Sequence, residues 1–252
     1  MNYLNGQSSK RLNILKVVLV GALIVALACV CLFAFSQTRV MAQVSAQDDY
    51  GALLKEKETK KQVTVPTTKV VDLVDLIGLD QASAFEATGH GALLDNSYEI
   101  SQNKAVKRDV VVLTDESGDK YVGTPTVFLD TDKNGRVVSA SYSTGINALG
   151  YGDFSFEEVV TEMFLIENTL NAAGLESVEL GTVKLPSKES YTQYATDGKT
   201  VNKESLTFVG VSSEGKKVYD WNVTLTYDYS EANSTGNLAY TIKTISLQIT
   251  IR

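Results

Sequence analysis

The sequence predicts an α+β protein held in a membrane by one N-terminal helix, with an antiparallel sheet and its covering helices displayed beyond it. Three observations carry that expectation. Residues 17–35 are an uncharged apolar run, flanked on the N-terminal side by bases and no acid. Much of the chain after residue 97 alternates apolar and polar side chains in period two, with Asn-Gly and Gly-containing turns between the runs. Two stretches, 70–88 and 155–173, instead show helical spacing, with capping residues and closing glycines.

Taken in order, residues 1–16 form a cytoplasmic tail, because Lys10, Arg11 and Lys16 precede the apolar run. The run itself, residues 17–35, spans about 28 Å as a helix, close to the hydrocarbon thickness of a bilayer. That length favours a retained signal-anchor with the C-terminal part outside. Val40-Met41-Ala42 and Val44-Ser45-Ala46 offer cleavage sites, so a secreted protein is the alternative. Cys29, behind Ala26-Leu27-Ala28, offers lipid attachment as a third route, against which the apolar run continues to Phe35. Residues 36–68 read as a stalk with a charge cluster at Lys55-Glu56-Lys57-Glu58-Thr59-Lys60-Lys61, closed by Pro66.

A first α+β unit is expected over residues 69–143. Residues 70–77 supply two helical turns ended by Gly78, and Asp80 caps a second short helix over 81–88, with Gly89 at its end. Strands follow at 98–100, 110–113 and 121–129, the last two joined by a turn at 115–119. Asn134-Gly135 then turns the chain into a strand over 137–142. A glycine-rich connection over 145–153 leads to a second unit, residues 154–252. There Ser155 and Glu158 form a capping box for one long helix that Gly174 ends. Phe156, Val159, Met163, Ile166, Leu170 and Ala173 make a single apolar stripe, expected to pack on a sheet. Strands are expected at 177–185, 206–211 and 218–229, with a polar loop over 186–200 and a hairpin turn at Ser213-Glu214-Gly215-Lys216. Trp221, Val223, Leu225 and Tyr227 alternate with Asn222, Thr224 and Thr226, as in a strand with one buried face. In the terminal strand the phase slips between Tyr240, Ile242 and Ile245, Leu247, Ile249, which predicts a β-bulge near Lys243-Thr244.

Composition narrows the function classes. The chain has 252 residues, 44% hydrophobic and 21% charged, a globular balance. The first 47 residues hold four bases and no acid, leaving 19 bases and all 30 acids to the rest. So acidic a surface repels nucleic-acid phosphates, and no nucleic-acid partner is expected. Both cysteines, Cys29 and Cys31, lie in the apolar run, so the exported part has no disulfide, thiol nucleophile or cysteine metal site. That composition points to a bacterial cell surface.

No catalytic, cofactor-binding or metal-binding residue is assigned. His90, the one histidine, stands between Gly89 and Gly91 without a serine or cysteine motif to serve, and reads as a solvated turn residue. Asp130, Asp132, Asn134 and Gly135 copy the first half of an EF-hand loop, but its twelfth position is Ser141 rather than glutamate. They read instead as an Asn-Gly turn flanked by exposed acids. No phosphate-binding glycine loop and no Gly-x-Ser-x-Gly elbow occurs.

Gly78-Leu79-Asp80, closing at Gly89 eleven residues after Gly78, and the turn Asn134-Gly135-Arg136-Val137 resemble the β-lactamase-inhibitor-protein-like domains and related small outer-membrane lipoproteins. Thr88 departs from the leucine common there, and no proline follows Gly89. The inhibitors carry two helix-plus-sheet units in tandem, and 69–143 with 154–252 matches that plan except for the one long helix. The resemblance implies a non-catalytic domain that binds another protein through its sheet or loops. With the acidic, thiol-free exterior, it leads to the expectation of a membrane-anchored, extracytoplasmic binding or envelope-structural module with a cell-envelope protein partner. A carboxylate-based envelope hydrolase and a sensory ectodomain are the alternatives.

Overall fold

A computed structural model describes residues 66–88, 91–102, 104–114 and 125–252. The apolar run at 17–35, most of the stalk, Gly89, His90 and the turn at 115–119 lie outside them. No helix among the described residues is long and apolar enough to cross a membrane.

The described chain is α+β. Two short helices, α1 (Leu73–Leu76) and α2 (Gln81–Ala87), precede strands β1 (Gly91–Gln102), β2 (Ala105–Thr114), β3 (Thr126–Thr131) and β4 (Val137–Gly145). Two more helices, α3 (Phe156–Thr161) and α4 (Leu165–Ala172), precede β5 (Thr192–Tyr194), β6 (Val201–Glu214), β7 (Lys217–Asp228) and β8 (Ile242–Ile251), with α5 (Ser230–Thr235) between β7 and β8. All eight strands join one sheet in the order β1-β2-β3-β4-β8-β7-β6-β5, antiparallel throughout. The last strand thus returns to pair with β4, from Ser139 opposite Thr250 to Gly145 opposite Thr244.

Helix starts follow their caps. The side chains of Asp72 and Asp80 accept the N–H groups of Asp75 and Ser83 at 3.0 Å, and Ser155 with Glu158 forms the expected reciprocal box. The expected single helix over 155–173 is two. Phe164 takes a left-handed backbone (φ 50°, ψ 39°), and the Asn168 amide donates to the Met163 carbonyl freed there. The reason lies in the apolar content. Leu165 lies on the opposite side from the stripe that one straight helix would bury, yet it is buried here because the break re-aims the second half. Met163, expected in the stripe, is only half-buried at the break. Gly174 ends α4 at φ 93°, and a Cβ there would stand 2.4 Å from the Asp72 carboxylate, so the position needs glycine on both counts. The Ala173 carbonyl in turn accepts from Leu73 and Val74, joining the end of α4 to the start of α1.

Three further expectations fail locally. Residues 177–185 form no strand; their turns leave Leu180 exposed, and the Val183 N–H goes to the buried Glu167 carboxylate instead of a ladder. The loop expected at 186–200 contains β5, whose pairing to β6 the polar sequence concealed. No bulge breaks β8 against β7: pairing is continuous from Ile242 opposite Asp228 to Ile251 opposite Tyr219. The phase slip arises because Tyr240 belongs to a 3₁₀ turn before the strand, while Lys243 occupies an inward position. Its ammonium donates to the Gly152 and Phe154 carbonyls and lies 4.8 Å from the Tyr227 ring centre, which satisfies a charge at the margin of the core.

The core lies between one sheet face and helices α1 to α4. Val127, Leu129, Ala140, Tyr142, Leu247, Ile249, Val223, Leu225 and Tyr227 share a buried cluster with Leu73, Leu76, Val159, Ile166 and Leu170. Tyr142 and Tyr227, both fully buried, direct their hydroxyls to the Lys69 and Phe154 carbonyls, fixing the segments that lead into each helix pair.

Candidate functional site

Since successive side chains point to opposite sides of a strand, the residues between those core positions define the sheet's other face. Its cross-strand rows can be followed residue by residue. One runs Tyr98, Arg108, Asp130, Ser139, Thr250, Asp220, Val211 from β1 to β6, each opposite the next. The next runs Asn96, Val110, Phe128, Ser141, Gln248, Asn222, Val209. A third holds Thr126, Ser143, Ser246, Thr224 and Thr207. Short hydroxyl and amide side chains dominate the middle of this face, and most of them are half-exposed rather than covered.

The polar groups are linked. Arg108 grips Asp130 with two parallel hydrogen bonds, 2.6 and 2.8 Å, while its guanidinium lies 5.8 Å from the Phe128 ring centre. The hydrogen-bonded Asp130 carboxylate pushes the Arg108 pKa further up. Across β4, Ser139 accepts from Gln248 at 3.1 Å and Thr250 at 2.9 Å, and Gln248 accepts from Asn222 at 3.1 Å. Arg252 donates two bonds to one oxygen of Asp220, which holds that carboxyl below its usual range. Gln102 and Lys104, from the tip of the β1–β2 hairpin, line the same shallow cavity of about 520 Å³ as Asn222, Gln248 and Thr250. The hairpin tip therefore arches over a face whose β7 is separated from β2 by β3, β4 and β8.

The two sheet edges differ. β5 offers three residues, whereas β1 offers twelve, with Leu93, Leu94 and Tyr98 exposed on it and Val106 exposed on β2 beside it. A long edge strand bearing apolar side chains presents unpaired backbone groups to a partner chain.

The turn that imitates a calcium loop is built otherwise. Asp130 is not an exposed turn residue: it lies in β3, 3% exposed, and both oxygens face Arg108. Asp132 accepts the N–H groups of Asn134 and Arg136 at 2.8 and 3.0 Å, which lowers its pKa, the Arg136 bond contributing most. Asn134 keeps a negative φ and only Gly135 is left-handed, at 73°. The turn is thus a three-residue connection with a glycine bulge rather than the two-residue Asn-Gly turn expected. Among the described residues no group of three His, Cys, Asp or Glu could hold a metal ion. Sequence reasoning missed Arg108 and the Asn222–Gln248–Ser139 chain, since partners 22 to 109 residues apart leave no local signal.

No protein-family model, curated protein or solved structure matches the chain.

Proposed function

We propose that this protein is a non-catalytic, membrane-anchored extracytoplasmic module of the bacterial cell surface that binds an envelope protein. The observation that carries the reading is the unequal use of the sheet. One face is sealed by helices, while the other stays open and runs out to the exposed edge strand β1. A partner strand added to β1 would gain backbone hydrogen bonds, with Leu93, Leu94 and Tyr98 as apolar anchors.

Further support comes from the acids. Asp80, Asp132, Asp197, Asp220 and Asp228 are all held below the usual carboxylate range by hydrogen bonds from neighbouring groups. A carboxylate hydrolase needs an acid pushed the other way. Two helices followed by four strands occur in both halves, with α5 inserted before the last strand of the second, an order compatible with the tandem-unit plan of the inhibitor-like resemblance. The membrane anchor and the outward orientation rest on residues 1–35, and the envelope location on these together with the acidic, thiol-free composition of the rest.

Affinity capture with the full chain tests the reading. A specific envelope protein is retained by the parent and by Glu157→Lys on the helix side, and lost with Leu93→Lys or Tyr98→Lys on β1. Capture that survives both β1 variants removes the assignment. Intact-mass analysis of the native protein tests the anchor: a mature N-terminus near Gln43 or Gln47 would make it a secreted protein.

A further inference from the structure

The cavity under the hairpin tip has a floor of four polar side chains in a defined array. Asp220 and Asn222 lie two apart on β7, directly opposite Thr250 and Gln248 on β8. Strand geometry sets that array at about 5 Å across and about 7 Å along, roughly the footprint of one six-membered sugar ring.

The hydrogen-bonding direction is fixed by the neighbours. Asn222 donates to Gln248, and Gln248 and Thr250 both donate to Ser139. With its nitrogen so engaged, Asn222, which lines the cavity, keeps its side-chain oxygen as an acceptor. Both bonds from Arg252 go to one oxygen of Asp220, leaving the second as another acceptor. Lys104 and Gln102 supply donors from above. A ligand that fits must both donate and accept at points a strand spacing apart, as vicinal hydroxyls do. Val209, directly opposite Asn222 and 74% exposed, offers an apolar surface to the C–H groups of the same ring.

The charges disfavour an anion as the main ligand: Arg252 is engaged with Asp220, whose remaining oxygen would repel one and offsets the charge of Lys104 above it. The cavity is open, and Trp221, which also lines it, turns its indole to the other side of the sheet against Gly210, so this face offers no ring for a nucleobase to stack on. The geometry points to a saccharide site: the corner of the open face formed by β7, β8 and the β1–β2 tip binds a pyranose unit of a polysaccharide, Asp220 and Asn222 accepting its hydroxyl protons. This rests on the proposed function only in requiring that the face look outward into the envelope.

The full chain, held in a detergent without a sugar headgroup, is titrated with cellotetraose, maltotetraose and chitotetraose by saturation-transfer NMR and calorimetry. At least one binds saturably, with a dissociation constant on the order of 1 mM, as a shallow site allows. Asn222→Ala and Asp220→Asn each weaken it tenfold or more, while Glu157→Ala leaves it unchanged, and unaltered Trp221 emission shows that the fold persists. Absence of saturable binding by all three, or binding that survives both substitutions, overturns the site. Protein capture through β1 is measured separately, so loss of sugar binding with capture intact removes this site and leaves the proposed function standing.

Discussion

Gly210 faces Trp221 across β6 and β7, and the indole lies over the glycine with its N–H donated to Ser212 at 3.1 Å. A Cβ at residue 210 would stand 2.2 Å from Cζ2 and 2.6 Å from Cε2 of that ring. Ordinary carbon contact needs roughly 3.5 Å, so the ring must retreat by more than about 1 Å. Gly210→Ala therefore combines an overpacking cost of about 1–3 kcal/mol with loss of a hydrogen bond of about 1 kcal/mol. The gain from replacing a strand glycine offsets this by about 0.5–1 kcal/mol. The expected net destabilisation is about 2 kcal/mol. Trp221 is the sole tryptophan, so denaturant unfolding followed by its emission reads both the midpoint and the ring's new environment. Placed in a Trp221→Leu background and followed by circular dichroism, the same substitution should cost much less, because the ring it collides with is gone. A Gly210→Ala midpoint within a few tenths of a kcal/mol of the parent, with unshifted emission, would refute the reasoning.

Other perturbations follow from the same geometry. Val159 is fully buried in α3 whereas Met163 is half-buried at the helix break, so Val159→Asp should cost about 4 kcal/mol and Met163→Asp about 1–2 kcal/mol in urea unfolding. Equal costs would mean that the two-helix arrangement is wrong. Calorimetric titration with calcium should show no affinity tighter than about 1 mM, since Arg108 occupies both oxygens of Asp130. A micromolar site abolished by Asp130→Ala would contradict this. The folded-state pKa values of Asp80, Asp132, Asp197, Asp220 and Asp228 lie below their ordinary value of 3.8. Their contribution to stability is therefore fully present above that pH and is lost as pH falls through the lower folded values. Thermal scans should show this component flat from pH 7 to about 5 and declining below about 4.

Much of this fold was legible where the signal is local. Asp72, Asp80, Ser155 and Glu158 cap helices because a cap needs partners only three residues away. Gly215, at φ 60° in the two-residue turn between Glu214 and Lys217, fixes the β6–β7 register by itself. What the sequence concealed was set at a distance. The break at Phe164 serves the burial of Leu165, which one continuous helix would turn away from the core, a condition absent from any helical window. Strand β5 carries no apolar alternation, since its role is to be paired by β6 rather than to fill the core. The polar phase of β7 was visible in Asn222, Thr224 and Thr226 as a solvent-facing row. Its connection to Gln248 and Ser139, and the hairpin tip above it, depend on β8 returning to β4.

Site-specific photo-crosslinking in living cells tests the central claim, that the sheet presents an open face and a free edge to a partner while the helices seal the other side. A crosslinker placed at Leu93 or Tyr98 on β1 should yield one discrete adduct with an envelope protein. The same crosslinker at Glu157, exposed on the helix side, should yield none. Adducts formed from Glu157 and absent from Leu93 and Tyr98 would contradict the account.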